Sequence, residues 1–357
     1  MKLIGYYGVK MTLKEIAAEL NVSSQTVSMV LSGKSRGRVA AATRERIEEY
    51  VHRTGFRRNM NASRIRRSCC EVITMVQDIS NHGSEVEYHE FRPASIGHNI
   101  QCGVIDGALA HGYDVKYFPA YSESPDFMKY FITHCMPPNS DGVIFCGMLH
   151  NSRIYDAVLA ASVPVMTIRT HTHVLHREVN GLISVDSSDA VRAGVRELLA
   201  RGHKRIAYCA HTSVETRYLP ERFEPFKAEL TAAGLFDPAL VWECRDMIAV
   251  RRKVEERTGL ARCSAIVCEN DMMANCWKRE LEYAGFRVPE DFELMGYDAN
   301  RYFSGFSTVD IHPYECGKAA AIELISAIKE RRQPQSKKIK ASYVPSDFFN
   351  PTKGSVL

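Results

Sequence analysis

No apolar run in this chain reaches the ~18 residues of a membrane span. The start, MKLIGYYGVK, also lacks a sustained apolar stretch followed by a small-residue cleavage site. Membrane insertion and export are therefore not expected, and the chain reads as cytoplasmic. The 11 cysteines form no CxxC pair, and only Cys69 and Cys70 stand together. Scattered singly, they read as small buried hydrophobes, which leaves no expected metal site and no disulfide framework. No Gly-rich phosphate loop follows a strand-like run, and no Ser/His/Asp order with an elbow motif is present. Neither a cofactor nor an enzymatic centre is expected. Repeats and long low-complexity segments are missing as well.

What is there is concentrated between Thr12 and Leu31, TLKEIAAELNVSSQTVSMVL. Thr12 and Glu15 have capping-box spacing, so the spacing predicts a helix start. Leu13, Ile16, Ala17 and Leu20 recur at i, i+3, i+4 and i+7 and make one apolar stripe. Asn21 and Val22 form a turn, and Ser23 can cap a second helix. Val27, Val30 and Leu31 of that helix point back at the first, leaving Ser24, Gln25, Ser28 and Met29 outward. Such a short, polar, uncharged face can enter the major groove, where amides and hydroxyls reach base edges. An ordinary helical hairpin would show the same two stripes, so the surroundings decide. Residues 1–70 hold 14 Lys and Arg against 5 Asp and Glu, a net of +9 on a chain of +4, which leaves −5 for the rest. A basic end on an acidic body is the electrostatic footprint of nucleic-acid binding. A third helix is expected to open at Thr43, carry Ile47, Tyr50 and Val51, and stop at Gly55.

The order T-L-K-E-I-A, V-S-x-x-T-V-S-x-V-L, T-R-E-R-I, G-F and N-x-x-A-x-x-I resembles the DNA-binding headpiece of the lactose-repressor (LacI/GalR) family of bacterial transcription factors. The resemblance implies that Thr12, Ser23, Ser24, Gln25, Thr26, Ser28 and Met29 face DNA. It also implies a hinge helix with Asn59, Ala62, Ile65 and Arg66, in which Ile65 wedges into the minor groove and bends the site. The neighbouring Arg57, Arg58, Arg64 and Arg67 suit a narrow, negative groove. A linker residue without a role is the alternative for Ile65. Met29 stands where many relatives carry Arg and Arg58 replaces the usual Pro, so the operator is expected to differ. Residues 1–10 precede the family pattern, which makes Met11 an alternative start.

The body, too long for one ordinary domain, suits two lobes. Strand-like runs at Val72 to Val76, Gly142 to Cys146, Val163 to Ile168, Gly181 to Val185, Arg205 to Cys209, Ala265 to Cys268 and Glu293 to Gly296 alternate with helical patterns. Helices closing at Gly112, Gly202, Gly234 and Gly285 lie between them, which predicts parallel sheets covered on both faces. The stretch Lys329 to Lys340 reads as a surface connection. D-I-S, D-G-V-I, V-P-V, R-G-H-K-R-I-A, N-D-x-M-A, V-P-E-D, G-Y-D and S-T-V-D-I-H-P look like the same family's effector domain. The expected architecture is an all-α helix-turn-helix headpiece (11–56), a hinge (57–68) and a periplasmic-binding-protein-like (type I) α/β effector and dimerisation domain (69–357). Its first lobe is expected over about 70–177 and 307–325, its second over about 178–306 and 335–357.

Ligands of such sheets bind beyond the carboxyl ends of the strands. By position the resemblance implies Arg222 and Asp298 as the effector's grip, with Asn270 and Asp271 as further candidates. A fork-shaped guanidinium opposed to a carboxylate suits a polyol, while an interlobe ion pair or a loop cap is the alternative for each. Pro225 replaces the Gly usual after the Arg. Arg169 sits where some sugar-responsive relatives have Asp. Together with Arg222 it would suit an acidic sugar or similar anion, unless it makes an internal salt bridge and the ligand is a plain monosaccharide. The loop over 81–100, with His82, Glu85, Tyr88, His89 and Arg92, is longer than usual and has no assigned role. The expected function is a homodimeric repressor whose affinity for a pseudo-palindromic DNA operator depends on a small sugar-like effector, either neutral or acidic. The alternative is a sugar-binding module or enzyme of the same fold with an incidental helical appendage.

Overall fold

The computed structural model describes residues 11–33, 35, 37–56, 69–78, 96–120, 124–147, 153–168, 181–210, 220–244, 246–257, 259–300 and 302–346. Two compact units divide the chain, Met1–Cys70 and Glu71–Leu357.

The first unit holds α1 (Leu13–Glu19), α2 (Ser24–Leu31) and α3 (Ala41–Thr54). The capping box forms as its spacing predicts. Glu15 N donates to Thr12 Oγ1 at 3.3 Å, and Thr12 N donates to Glu15 Oε2 at 2.6 Å. Asn21 makes the turn in the left-handed region at φ 50°. Ser23 then caps α2 by accepting from Thr26 N at 3.0 Å. Ile16, Ala17, Val27, Val30 and Ile47 are buried together, with Leu13, Leu20, Leu31, Tyr50 and Val51 packed around them. α3 starts at Ala41, two residues before the expected Thr43, without a side-chain cap, and ends on Gly55 at φ 66°. The hinge helix expected over 57–68 lies outside the described residues.

The second unit runs β1 (Val72–Asp78), α4 (Ile96–Leu109), β2 (Asp114–Ala120), α5 (Pro125–Cys135), β3 (Gly142–Cys146), α6 (Arg153–Ala160), β4 (Val165–Ile168) and β5 (Leu182–Asp186). It continues through α7 (Ser188–Ala200), β6 (Ile206–Ala210), α8 (Pro220–Ala232), β7 (Val241–Glu243), α9 (Met247–Glu256), β8 (Ala265–Cys268), α10 (Asp271–Tyr283) and β9 (Glu293–Met295). It closes with β10 (Thr308–Asp310), α11 (Pro313–Glu330), β11 (Lys337–Lys340) and β12 (Ser342–Val344). One parallel sheet has the order β11-β5-β4-β3-β1-β2, the other β7-β6-β8-β9. Strands β3, β4, β6 and β8 are buried at every position, as helices on both faces require.

The sheet order corrects the expected lobe boundaries. Residues 182–186 and 337–340, placed by sequence in the second lobe, pair with each other in the first sheet. The chain changes lobe at Ser187, where α7 begins, because α7 packs on α8 and β12. Lys337–Lys340 is thus a strand and not only a surface connection. It lies at a sheet edge, where exposed lysines discourage pairing with another chain. A two-stranded antiparallel ribbon of β10 and β12 joins the crossovers, with Ser342 opposite Asp310. Ala341 N donates to Asp186 O at 2.9 Å and ties two crossovers together.

Helices α4 and α11 pack backbone against backbone. A Cβ at Gly317 would run into the Ile100 carbonyl, and one at Gly103 into the Tyr314 carbonyl. Gly317→Ala is therefore expected to destabilise the second unit by about 1–3 kcal/mol, the usual cost of overpacking. A lowered urea midpoint with an unchanged slope checks this.

Candidate functional site

Both sheets reverse their strand order at one place, between β1 and β3 in the first and between β6 and β8 in the second. Ligand crevices of parallel sheets open beyond such switch points. In the second sheet, Glu269, Asn270 and Asp271 leave the end of β8. Arg222 stands in the first turn of α8, the helix that follows β6.

Arg222 is 4% exposed. Its Nη1 donates to the Glu269 carbonyl oxygen, its Nη2 lies 3.7 Å from Asp298 Oδ1, and its Cζ sits 3.7 Å from the centroid of the Tyr297 ring. A planar cation is thus held on an aromatic face with a carboxylate at its edge. Pro225 helps position it. Proline has no N–H to give to the carbonyl four residues back, and the Ser187 hydroxyl donates to that Glu221 carbonyl instead, at 3.2 Å. The residue at the lobe crossover is in this way bonded next to Arg222.

Asp298 occupies φ 113°, a region that L residues rarely adopt and that the surrounding structure must impose. Burial pushes its carboxyl up to about 7, with Arg222 opposing the shift and Glu269 adding to it. Asp298 Oδ1 and the Tyr208 hydroxyl are buried with no hydrogen-bond partner among the described residues. Sequence reasoning missed Tyr208 and Glu269. The signal for Glu269 was present, since a carboxylate directly after the apolar run AIVC stands at a strand end.

Asn270 and Asp271, expected beside the effector, are committed to the fold. Asn270 Oδ1 accepts from Met273 N at 2.8 Å and caps α10. Asp271 is 1% exposed, accepts from the Thr308 hydroxyl at 2.5 Å and from Asn300 N at 2.6 Å, and so holds the loop that carries Asp298. Burial raises its carboxyl well above the usual range, Asp298 adds to the rise, and these hydrogen bonds oppose it. These bonds are of the kind the loop-cap alternative names. Arg169 and the loop 81–95 lie outside the described residues.

On the headpiece, Ser24 and Gln25 are exposed while Ser28 and Met29 are half-buried on the face away from the core. The hydroxyls of Thr12, Ser23 and Thr26 serve helix ends, Ser23 Oγ and Thr26 Oγ1 lying 2.8 Å apart. Asn59, Ala62, Ile65 and Arg66 lie outside the described residues.

Residues 12–59 match bacterial regulatory proteins of the lacI family, and residues 195–345 match the periplasmic binding protein-like domain. The chain belongs to the LacI family. It is a DNA-binding transcriptional regulator built from a helix-turn-helix and a periplasmic-binding-protein-like domain with parallel sheets. Catabolite control protein A of Priestia megaterium is 23% identical over 304 residues, covering 82% of this chain and 84% of that one. Among solved structures, the transcriptional regulator CelR–cellobiose complex shares 21% identity at a TM-score of 0.64, covering 94% of this chain and 99% of that one. The lac repressor dimer bound to operator and the anti-inducer ONPF shares 21% identity at 0.66, covering 94% and 97%. No described helix is long and apolar enough to cross a membrane.

Proposed function

We propose that this LacI-family regulator is a homodimeric repressor whose grip on a pseudo-palindromic operator is set by a small sugar-like effector held between the lobes. The observation that carries the reading is the Arg222–Asp298 pair at the switch point of the second sheet. A guanidinium donates and a carboxylate accepts, which suits vicinal hydroxyls. The Ser187 to Glu221 bond supplies a path from the pair to the crossover, where the angle between lobes is set. Ile65, with Asn59, Ala62 and Arg66, is the proposed wedge of the operator-bound hinge. An acidic effector rests on Arg169 alone, because Arg222 already faces Asp298; a neutral sugar is the reading the described residues favour. The structural relative solved with cellobiose supports starting from sugars.

The test is operator binding by the full chain, followed by fluorescence anisotropy, with neutral sugars, uronic acids, aldonic acids and sugar phosphates added in turn. One class is expected to change the operator Kd about 5- to 150-fold, the usual range of allosteric coupling, and Asp298→Asn to abolish the change. A panel in which every sugar leaves Kd untouched would overturn the effector reading.

A further inference from the structure

The face of α2 that points away from the headpiece core carries no Lys, Arg, Asp or Glu. Its hydroxyls are largely committed. Ser23 and Thr26 bond each other, and Ser32 Oγ donates to Met29 O at 3.1 Å. What this face still presents outward is the Gln25 amide, which has no hydrogen-bond partner among the described residues, the Ser24 and Ser28 hydroxyls, and the Met29 thioether. Gln25 and Met29 are one helical turn apart, on the order of 6 Å, so they lie over base pairs within two steps of each other. Lys14 and Arg38 are exposed on other parts of the headpiece and suit phosphates, which carry no sequence information.

We propose that Gln25 and Met29 make this protein a reader of A·T pairs: each operator half-site places an adenine under Gln25 and a thymine under Met29. The proposal rests on α2 lying in the major groove. An adenine shows an acceptor at N7 and a donor at N6, which match the donor and acceptor of one amide. A guanine shows two acceptors, and its O6 would face the amide oxygen. At Met29 the thioether has no donor for guanine and meets the thymine C5-methyl by apolar contact. Ser24 and Ser28, each a donor and acceptor in one group, discriminate little.

The experiment selects operators from a random duplex library with the full chain, then measures anisotropy with single-atom changes in the selected site. Deoxyuridine, which lacks the C5-methyl, is expected to weaken binding about fourfold at one thymine, the value of one buried methyl. Met29→Ala is expected to bind thymine and deoxyuridine equally, and Met29→Arg to select guanine there. Circular dichroism of the variants confirms that the headpiece helices persist. At an adenine within two base pairs, 7-deaza-adenine is expected to weaken binding about tenfold in the native protein but not in Gln25→Ala. Guanine selected at these positions by the native chain, or deoxyuridine sensitivity that survives Met29→Ala, overturns the proposal. If both variants keep the native sequence preference unchanged, the placement of α2 in the groove is what fails, and the proposal falls with it.

Discussion

Arg222→Met is expected to remove about 3–5 kcal/mol of stability at pH 8, the usual cost of breaking a buried ion pair from one side. Arg222 and Asp298 are 4% and 14% exposed at the side chain, so water cannot replace the lost partner. The Glu269 carbonyl would lose its donor and the Tyr297 ring its cation in the same change. The loss is expected to be smaller at pH 5, where a proton on Asp298 cancels the stranded charge. Arg222→Met with Asp298→Asn should recover at least half of it, because removing both charges strands neither. Tryptophan fluorescence in urea reads this lobe directly. Both tryptophans of the chain, Trp242 and Trp277, lie in its core with ring centroids 5.4 Å apart. A double variant no more stable than the single one would show that the pair is not the source of the stability.

Local rules account for the parts of this fold that the sequence makes legible. Capping-box spacing, an apolar stripe and a terminal glycine are decided within one or two helical turns. α1, α2 and the end of α3 therefore lie where the residues predict, and only the uncapped start of α3 moves. Strands β3 and β8 match their predicted bounds because each is a continuous apolar run, opened after a polar residue and closed by Gly147 or Glu269. β2 escapes notice, since DVKYFPA is half-exposed and contains Lys116 and Pro119; its strand state comes from pairing with β1. β11 is harder still. KKIK has no strand signal of its own and is made a strand by β5, more than 150 residues earlier (Lys337 pairs with Ile183), which no local window contains. The same non-locality hid the lobe boundary.

The candidate site divides along the same line. Arg222 and Asp298 were legible by position in the family pattern, and the structure brings their side chains together from α8 and the loop after β9. Asn270 and Asp271 emerge at a strand end, which marks where residues leave the sheet and not which way they turn. Asn270 turns back to cap its own helix, and Asp271 turns inward to Thr308, 37 residues on. Glu269 and Tyr208 gain their place beside Arg222 only when β6 and β8 pair, Tyr208 lying opposite Val267.

Stability is expected to fall as pH rises from 5 to 8, and Asp298→Asn to remove much of that slope. Burial holds the Asp298 carboxyl at about 7 in the folded chain, against about 3.9 for an unperturbed aspartate. Between those values the folded protein keeps a proton that the unfolded chain has released, so unfolding sheds a proton and each rise in pH favours it. Above 7 both states are ionised and the folded state bears the full cost of a buried charge. The stabilisation is thus complete below about pH 4, shrinks steadily above it and is gone once pH passes 7. Three pH units at 1.36 kcal/mol each make its span on the order of 4 kcal/mol. Asp271, raised for the same reason, slopes the same way and keeps a residual dependence in the variant. Carboxyls held low by arginines, such as Glu229 and Glu323, lose their contribution only at more acid pH and leave this window clear. Urea midpoints for both proteins at half-unit steps from pH 5 to 8 decide the matter. Parallel curves would mean that Asp298 ionises at its ordinary value and is not the buried acid at the heart of the second lobe.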